Sequence, residues 1–507
     1  MKPIKQTLLS GAMLLALSTS FTACEDILGE WSRPAPNSVT PSDGGEGDTP
    51  TPKTAGSISF ASETLTRGTS DPIINALTKT GDGAVTYSSS NAAVATVDPN
   101  TGEITPVGAG TTTITATVSD SEGYTYAVKS QSYDLTLQEA GYSYLKWNDG
   151  TKQVEQAFVT DNIVEVTNTT NTTWNDASKI YVVKGSVTLS NITVSANSTI
   201  LLCDGATFTV TGGIDGGNTK DLTIYAQSEG EGMGEMIVSR SDDNALEGKS
   251  IVIHGGKLTV TATGNNDAAA IYTSYSLSIY GGDITAQGAS NTNSTSGHGG
   301  AGIFNNSTGA ITISGKAHVS ATGGKSTTTY GGTGILNNSS GGITISGDAH
   351  VTATGGEGKN GGQGMAGVYS GFTTEGNAVV TITGGISTNG DGVYGAHSNF
   401  NFVINGANVT VKGGNAGGTG NYNGGPACEK IEYQSGTFCF EGGAGSGSGA
   451  NGKAIFNAGY LKNGSDADKT FEYSTNGSTW NDLTLTSSSP GNTNNTEVQN
   501  RYLRTKE

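Results

Sequence analysis

Positive charge is scarce. Lys and Arg number 26 against 44 Asp and Glu, so the chain carries a formal charge of −18. A phosphate-backbone binder needs clustered Lys and Arg, and this balance excludes nucleic acid as a partner. Charged residues of both signs reach only 14%, against about 25% in ordinary globular domains. Long Glu, Lys and Leu runs are missing, which argues against helices. Proline numbers 11 and there is no Gly-X-Y period, so collagen-like structure is excluded. No stretch approaches the ~18 apolar residues of a spanning helix. Glycine is abundant, with 78 of 507 residues. Many glycines and few helix formers predict an all-β chain of short strands joined by turns. The length predicts two to four modules.

The first 23 residues read as a signal peptide. Lys2 and Lys5 precede an apolar run over residues 8–17, which is too short to span a membrane. Phe21-Thr22-Ala23-Cys24 resembles a bacterial lipobox. The resemblance implies that Cys24 is lipidated and becomes the mature N-terminus, so that acyl chains are the membrane anchor. Glu25-Asp26 is similar to the acidic signal that sends lipoproteins to the outer face of the outer membrane; a solvated linker pair is the alternative. Residues 24–53 are rich in Pro, Gly, Ser, Thr and Asp and read as a flexible tether.

Residues 54–138 alternate apolar and polar positions, as in Val94-Ala-Thr-Val97 and Thr111-Thr-Thr-Ile-Thr-Ala-Thr-Val118. Asp98-Pro-Asn-Thr-Gly102 and Val107-Gly-Ala-Gly110 mark turns between them. Strands at this spacing predict a β-sandwich. The string from Val85 to Ala116, with its Ser-Ser-Asn, Val-Ala-Thr-Val and Gly-Glu-Ile-Thr landmarks, resembles the bacterial Ig-like group 2 domain. Such modules occur in adhesins and as spacers in surface proteins.

Residues 142–463 repeat. One unit is an apolar pair after a small residue, beginning at Ala270, Gly302, Gly334, Gly367, Gly392 and Ala454. The other is an alternating strand ending in glycine, as in Ile311-Thr-Ile-Ser-Gly and Ile343-Thr-Ile-Ser-Gly. Units of this size are one turn of a parallel β-helix, because each coil buries its inner face only by stacking on neighbours. A β-propeller needs longer blades. The glycine-rich stretches 288–300 and 355–364 are expected to leave the solenoid as loops. Residues 142–240 are expected to be its first coils. The rhythm resembles right-handed β-helix modules of the pectate-lyase-like and carbohydrate-binding kind, a likeness of architecture that implies no single activity. Residues 464–507 contain Asn476-Gly477 and read as a terminal hairpin or cap.

Asn305, Asn337 and Asn457 share a register and resemble the internal asparagine ladder of pectate-lyase-like helices. His318 and His350 lie in near-identical strings and are expected to stack. Cys428 aligns with the buried column, either as a buried thiol or in a disulfide with Cys439; Cys203 is the other cysteine of the mature chain.

A β-helix lyase needs Ca²⁺-binding carboxylates and a base, and a hydrolase needs paired carboxylates. Between residues 178 and 460 the only arginine is Arg240 and the only adjacent acidic pair is Asp242-Asp243. Gly297-His298-Gly299 lies in a glycine-rich stretch where chance explains it. No catalytic residue, metal ligand or cofactor is assigned, and Ca²⁺ at carboxylates such as Asp391 has no tight motif behind it. Binding is the other reading. If Ile271, Ile303, Ile335, Val368, Val393 and Ile455 point inward, then Tyr272, Phe304, Leu336, Tyr369, Tyr394 and Phe456 point outward. An aromatic column of that kind can stack on sugar rings. The expectation is a lipid-anchored outer-membrane surface protein that binds polysaccharide or host glycan without catalysis, with a β-helix lyase or hydrolase, or a structural surface protein, as alternatives.

Overall fold

Alternating short runs with glycine between them fold as strands throughout, and the described residues hold no helix. The computed structural model describes residues 52–506, apart from 70, 139–140, 265, 293–296, 399, 430, 457–460, 464–468 and 486–500. Cys24, Glu25 and Asp26 therefore lie outside the described residues, as does Asn457.

In the first module, Thr64–Gly68, Ser130–Gln138, Gly110–Val118 and Val85–Ser89 form one sheet in that order. Leu77–Thr80, Thr54–Phe60 and Tyr124–Tyr126 form a second. The period of two turns Ile114, Ala116 and Val118 inward, each 1% exposed or less. Leu65, Ile114, Tyr133, Leu135 and Leu137 make the main core. Asp98 accepts bonds from the Asn100 and Thr101 amides, and Gly102 takes φ +75° to close that turn. The module is an Ig-like β-sandwich.

From Ile163–Val166 to Leu461–Asn463 each strand pairs in parallel with the strand one coil later, which makes a β-helix of three faces. A representative coil passes through Ile303–Asn305 on the first face, Ile311–Ile313 on the second and His318–Thr322 on the third. The next coil repeats this as Ile335–Asn337, Ile343–Ile345 and His350–Thr354, in register. The two repeating units of the sequence are thus the first and second faces of successive coils.

Ile271, Ile303 and Ile335 stack as expected, all fully buried. The column then departs from the sequence reading. It continues through Met365, Ala396, Cys428 and Ile455, and not through Val368 and Val393. The Gly-Val-Tyr strings look like strand starts but fall elsewhere in the coil. Val368 follows the strand Met365–Gly367, and Val393 precedes Ala396–Ser398. Apolar character alone does not distinguish a strand residue from a half-buried corner residue.

The described glycines of these stretches do not leave the solenoid as loops. They pack against each other between the third face and the first face of the next coil, amide to carbonyl. Gly324 donates to Gly300, Gly332 to Gly324, Gly356 to Gly332 and Gly362 to Gly356, all within 2.7–2.8 Å. A Cβ on Gly324 would sit 1.8 Å from the Ala289 oxygen, and one on Gly356 1.9 Å from that of Gly324. Only glycine fits so close an approach of backbones, and this accounts for much of the glycine content.

Residues 142–159 also differ from expectation. Tyr142–Asn148 and Gln153–Val159 form a separate antiparallel hairpin and not a coil. At the far end, Lys469–Ser474 pairs antiparallel with Asn481–Leu485, and Tyr502–Thr505 pairs with residues 439–441. The reversed strand covers an edge that would otherwise offer open amides and carbonyls. The Asn476-Gly477 step lies in the wider loop between these strands, with Gly477 at φ +77°.

Candidate functional site

The outward residues on the first face follow from the register. Tyr272, Phe304 and Leu336 occupy equivalent positions on three successive coils. The Tyr272 and Phe304 rings meet edge to face at 5.5 Å. Beside them Asn306 donates to the Tyr272 hydroxyl at 3.3 Å and accepts from Asn338 at 2.9 Å. The next outward positions are Ala366 and His397, and these interrupt the aromatic row.

Tyr369 is therefore a correction. It stands at a corner of the coil, 62% exposed, outside the row. Tyr394 is a correction of a different kind. Its residue pairs with no coil of the column, yet its ring reaches the face from the side, 4.7 Å from His397 and 5.9 Å from Phe456. Burial, with Glu429 nearby, pushes the Tyr394 hydroxyl up to about 12. Phe456 is half exposed, and Lys453 stands 5.8 Å over its ring. The expected single column is thus two groups, Tyr272 with Phe304 and Tyr394 with Phe456.

Inside the solenoid the amide ladder is present. Thr273 donates to Asn305, Asn305 to Asn337 at 2.8 Å, and Asn337 to Ser370 at 3.3 Å. Asn305 and Asn337 are fully buried. This row is structural: it satisfies polar groups in the core and presents nothing to solvent. Cys428 is buried in the apolar column and Cys439 is exposed on the third face; both are free thiols, so the Cys428–Cys439 disulfide is not formed. Cys203 is a buried free thiol as well.

His318 and His350 lie in one register with their rings 4.9 Å apart and tilted by 48°. Asp283, one coil earlier, extends the row and lies 3.1 Å from His318. Sequence reading missed this carboxylate because Asp283-Ile-Thr-Ala does not resemble the His-Val strings; only the pairing aligns them. Asp283 and His318 line a cleft of about 710 Å³ between the sandwich and the solenoid. Its other charged groups are paired, Lys316 with Glu229 at 3.0 Å and Arg67 with Asp204 at 2.8 Å. Arg240 holds both Asp242 and Asp243. His298 lies against Tyr330 at 5.6 Å, and Asp391 accepts the Asn423 amide. Among the described residues no three His, Cys, Asp or Glu side chains converge on a metal position.

A second aromatic row was not legible in sequence. Tyr225, His254 and Tyr280 follow one another on the second face, and Tyr144 and Trp147 of the hairpin cover them. The Trp147 amide donates to His254 Nδ1 at 2.9 Å. Burial holds the His254 pKa down at about 4, and Lys146 adds to this. The folded state therefore disfavours the imidazolium. The contribution is fully present above the ordinary value near 6.5 and is lost as pH falls from there toward 4. A shift of this size is worth on the order of 3 kcal/mol. His254→Gln should flatten the fall in thermal midpoint between pH 6.5 and 4; an unchanged slope would remove His254 as its source.

Residues 74–120 match the family model described as intimin, immunoglobulin-like domain. The match lies within the sandwich and supports its Ig-like assignment. No curated protein matches the chain.

Proposed function

We propose that the chain is a surface-anchored, non-catalytic binding protein that holds neutral glycan on its β-helix, at the outer face of the outer membrane. The intimin-type Ig-like module supports a bacterial surface and adhesin-like role. The observation that carries glycan is the run Tyr272–Phe304–Leu336, set one coil apart with the Asn306 and Asn338 amides alongside. Rings stack on sugar faces and amides bond to hydroxyls. The low content of Lys and Arg disfavours polyuronate.

The test is a glycan array with residues 25–507, together with an assay for new reducing ends and unsaturated products. Tyr272→Ala with Phe304→Ala should weaken binding about tenfold, on the order of 1 kcal/mol or less per ring. Tyr369→Ala should leave it unchanged. Equal losses in both would remove the row from the site, and product release would favour a lyase or hydrolase. The anchor is tested separately. Cys24→Ser should leave unprocessed or soluble protein in cell fractions, because the acyl chains are the proposed attachment; identical fractionation of the two would refute it.

A further inference from the structure

The third face carries a second pattern that the aromatic reading does not use. Its outward central row runs Thr259, Thr285, Ser320, Thr352, Thr381 and Thr410 over six successive coils without a break. Two residues along each strand runs a parallel row of Thr261, Gln287, Thr322, Thr354 and Thr383. Inward neighbours Val260, Ala286, Ala321, Ala353 and Ile382 are buried, which fixes these side chains outward.

None of the Ser and Thr hydroxyls in these rows makes a side-chain hydrogen bond among the described residues. The sandwich behaves differently, for there hydroxyls pair across strands, as Thr111 does with Thr136 at 3.1 Å and Thr117 with Ser130 at 3.2 Å. The second row also borders a groove of about 550 Å³, walled by Thr261, Gln287 and Thr322 and by the packed glycines 288, 323, 355 and 356. The charged pair in this groove, Lys325 and Glu357, is joined at 3.1 Å.

We infer that this groove and its hydroxyl rows bind a linear neutral glycan lying along the solenoid axis. The inference rests on the glycan reading above and gives it a further site. Hydroxyls recur at each coil, ~4.8 Å apart, a step comparable with one pyranose ring. A polymer along the axis therefore meets a hydroxyl at every coil of the central row, with Thr methyl contacts at every coil but that of Ser320. The two rows hold no aromatic, Arg or Met, the residues that anchor protein partners. They hold no Lys or Arg short of the last coil either, and the one cation lining the groove, Lys325, is engaged by Glu357 at 3.1 Å, which disfavours a phosphate or carboxylate polymer.

The experiment compares binding of purified residues 25–507 to particles of cellulose, β-1,3-glucan and β-mannan, with polygalacturonate as the charged comparison. The variant Thr285→Val, Thr322→Val, Thr352→Val, Thr354→Val removes four hydroxyls and keeps the shape and strand preference of each side chain. Its thermal midpoint is measured beside that of the wild type. A second variant, Thr322→Arg, obstructs the groove sterically. Loss of at least tenfold in affinity for a neutral particle by both, at an unchanged midpoint, supports the site. Wild-type binding that both retain overturns it and leaves the glycan reading intact. Wild type that binds none of the neutral particles overturns both, as does a preference for polygalacturonate.

Discussion

Ile303→Asp should lower stability by about 4 kcal/mol or more, the cost of an unpaired charge in an apolar site. Ile303 is fully buried between Ile271 and Ile335 on adjacent coils. An aspartate there has no partner within the column and no route to water. Thr312→Asp, on the outward side of Ile311–Ile313, should cost within about 1 kcal/mol, mostly from lower strand preference. The readout is the thermal midpoint of each variant. Equal shifts would mean that the register is wrong. Coils couple mainly to their neighbours, so the damage should appear first in amide exchange of the adjoining strands.

Arg67→Met should destabilise the docking of the two modules by about 3–5 kcal/mol. Arg67 lies on Thr64–Gly68 of the sandwich and Asp204 on the solenoid, and both side chains are buried almost completely. Burial raises the Asp204 pKa, and Arg67 opposes that rise. Without the guanidinium the carboxylate keeps its Ser228 bond at 2.7 Å but loses its countercharge. Asp71 sits in the same junction and takes the Gly68 and Ser143 amides. The double change Arg67→Met, Asp204→Leu should recover much of the loss, since an apolar pair needs no countercharge. Urea unfolding of the three proteins decides this. A double variant as unstable as the single one would show that the ion pair is not what holds the modules together.

The corrected residues show where the sequence reading stopped. Tyr272 and Phe304 were found because their coils are both 32 residues from the next and share the Ile column. Tyr369 and Tyr394 were misplaced because a Gly-Val-Tyr string satisfies the same local pattern without entering the strand. The Thr rows of the third face were visible as alternating residues, but which Thr stands beside which depends on pairing over some thirty positions. Asp283 joined His318 for the same reason.

The β-helix, the β-sandwich and the shared register of His318 and His350 were legible in the chain, because they follow from periods of two and of one coil, which are local or simply repeating properties. The Ig-like character of the sandwich and the inward position of Asn305 and Asn337 were legible only through resemblance to known modules. The remaining features depend on contacts across the folded chain. Tertiary structure turned the glycine stretches from loops into a packed layer, because close approach between backbones many residues apart has no local signature. It made residues 142–159 a hairpin over Tyr225, His254 and Tyr280, and joined Arg67 to Asp204. Contacts between segments of different period leave no mark on either segment, so only the folded chain brings them together.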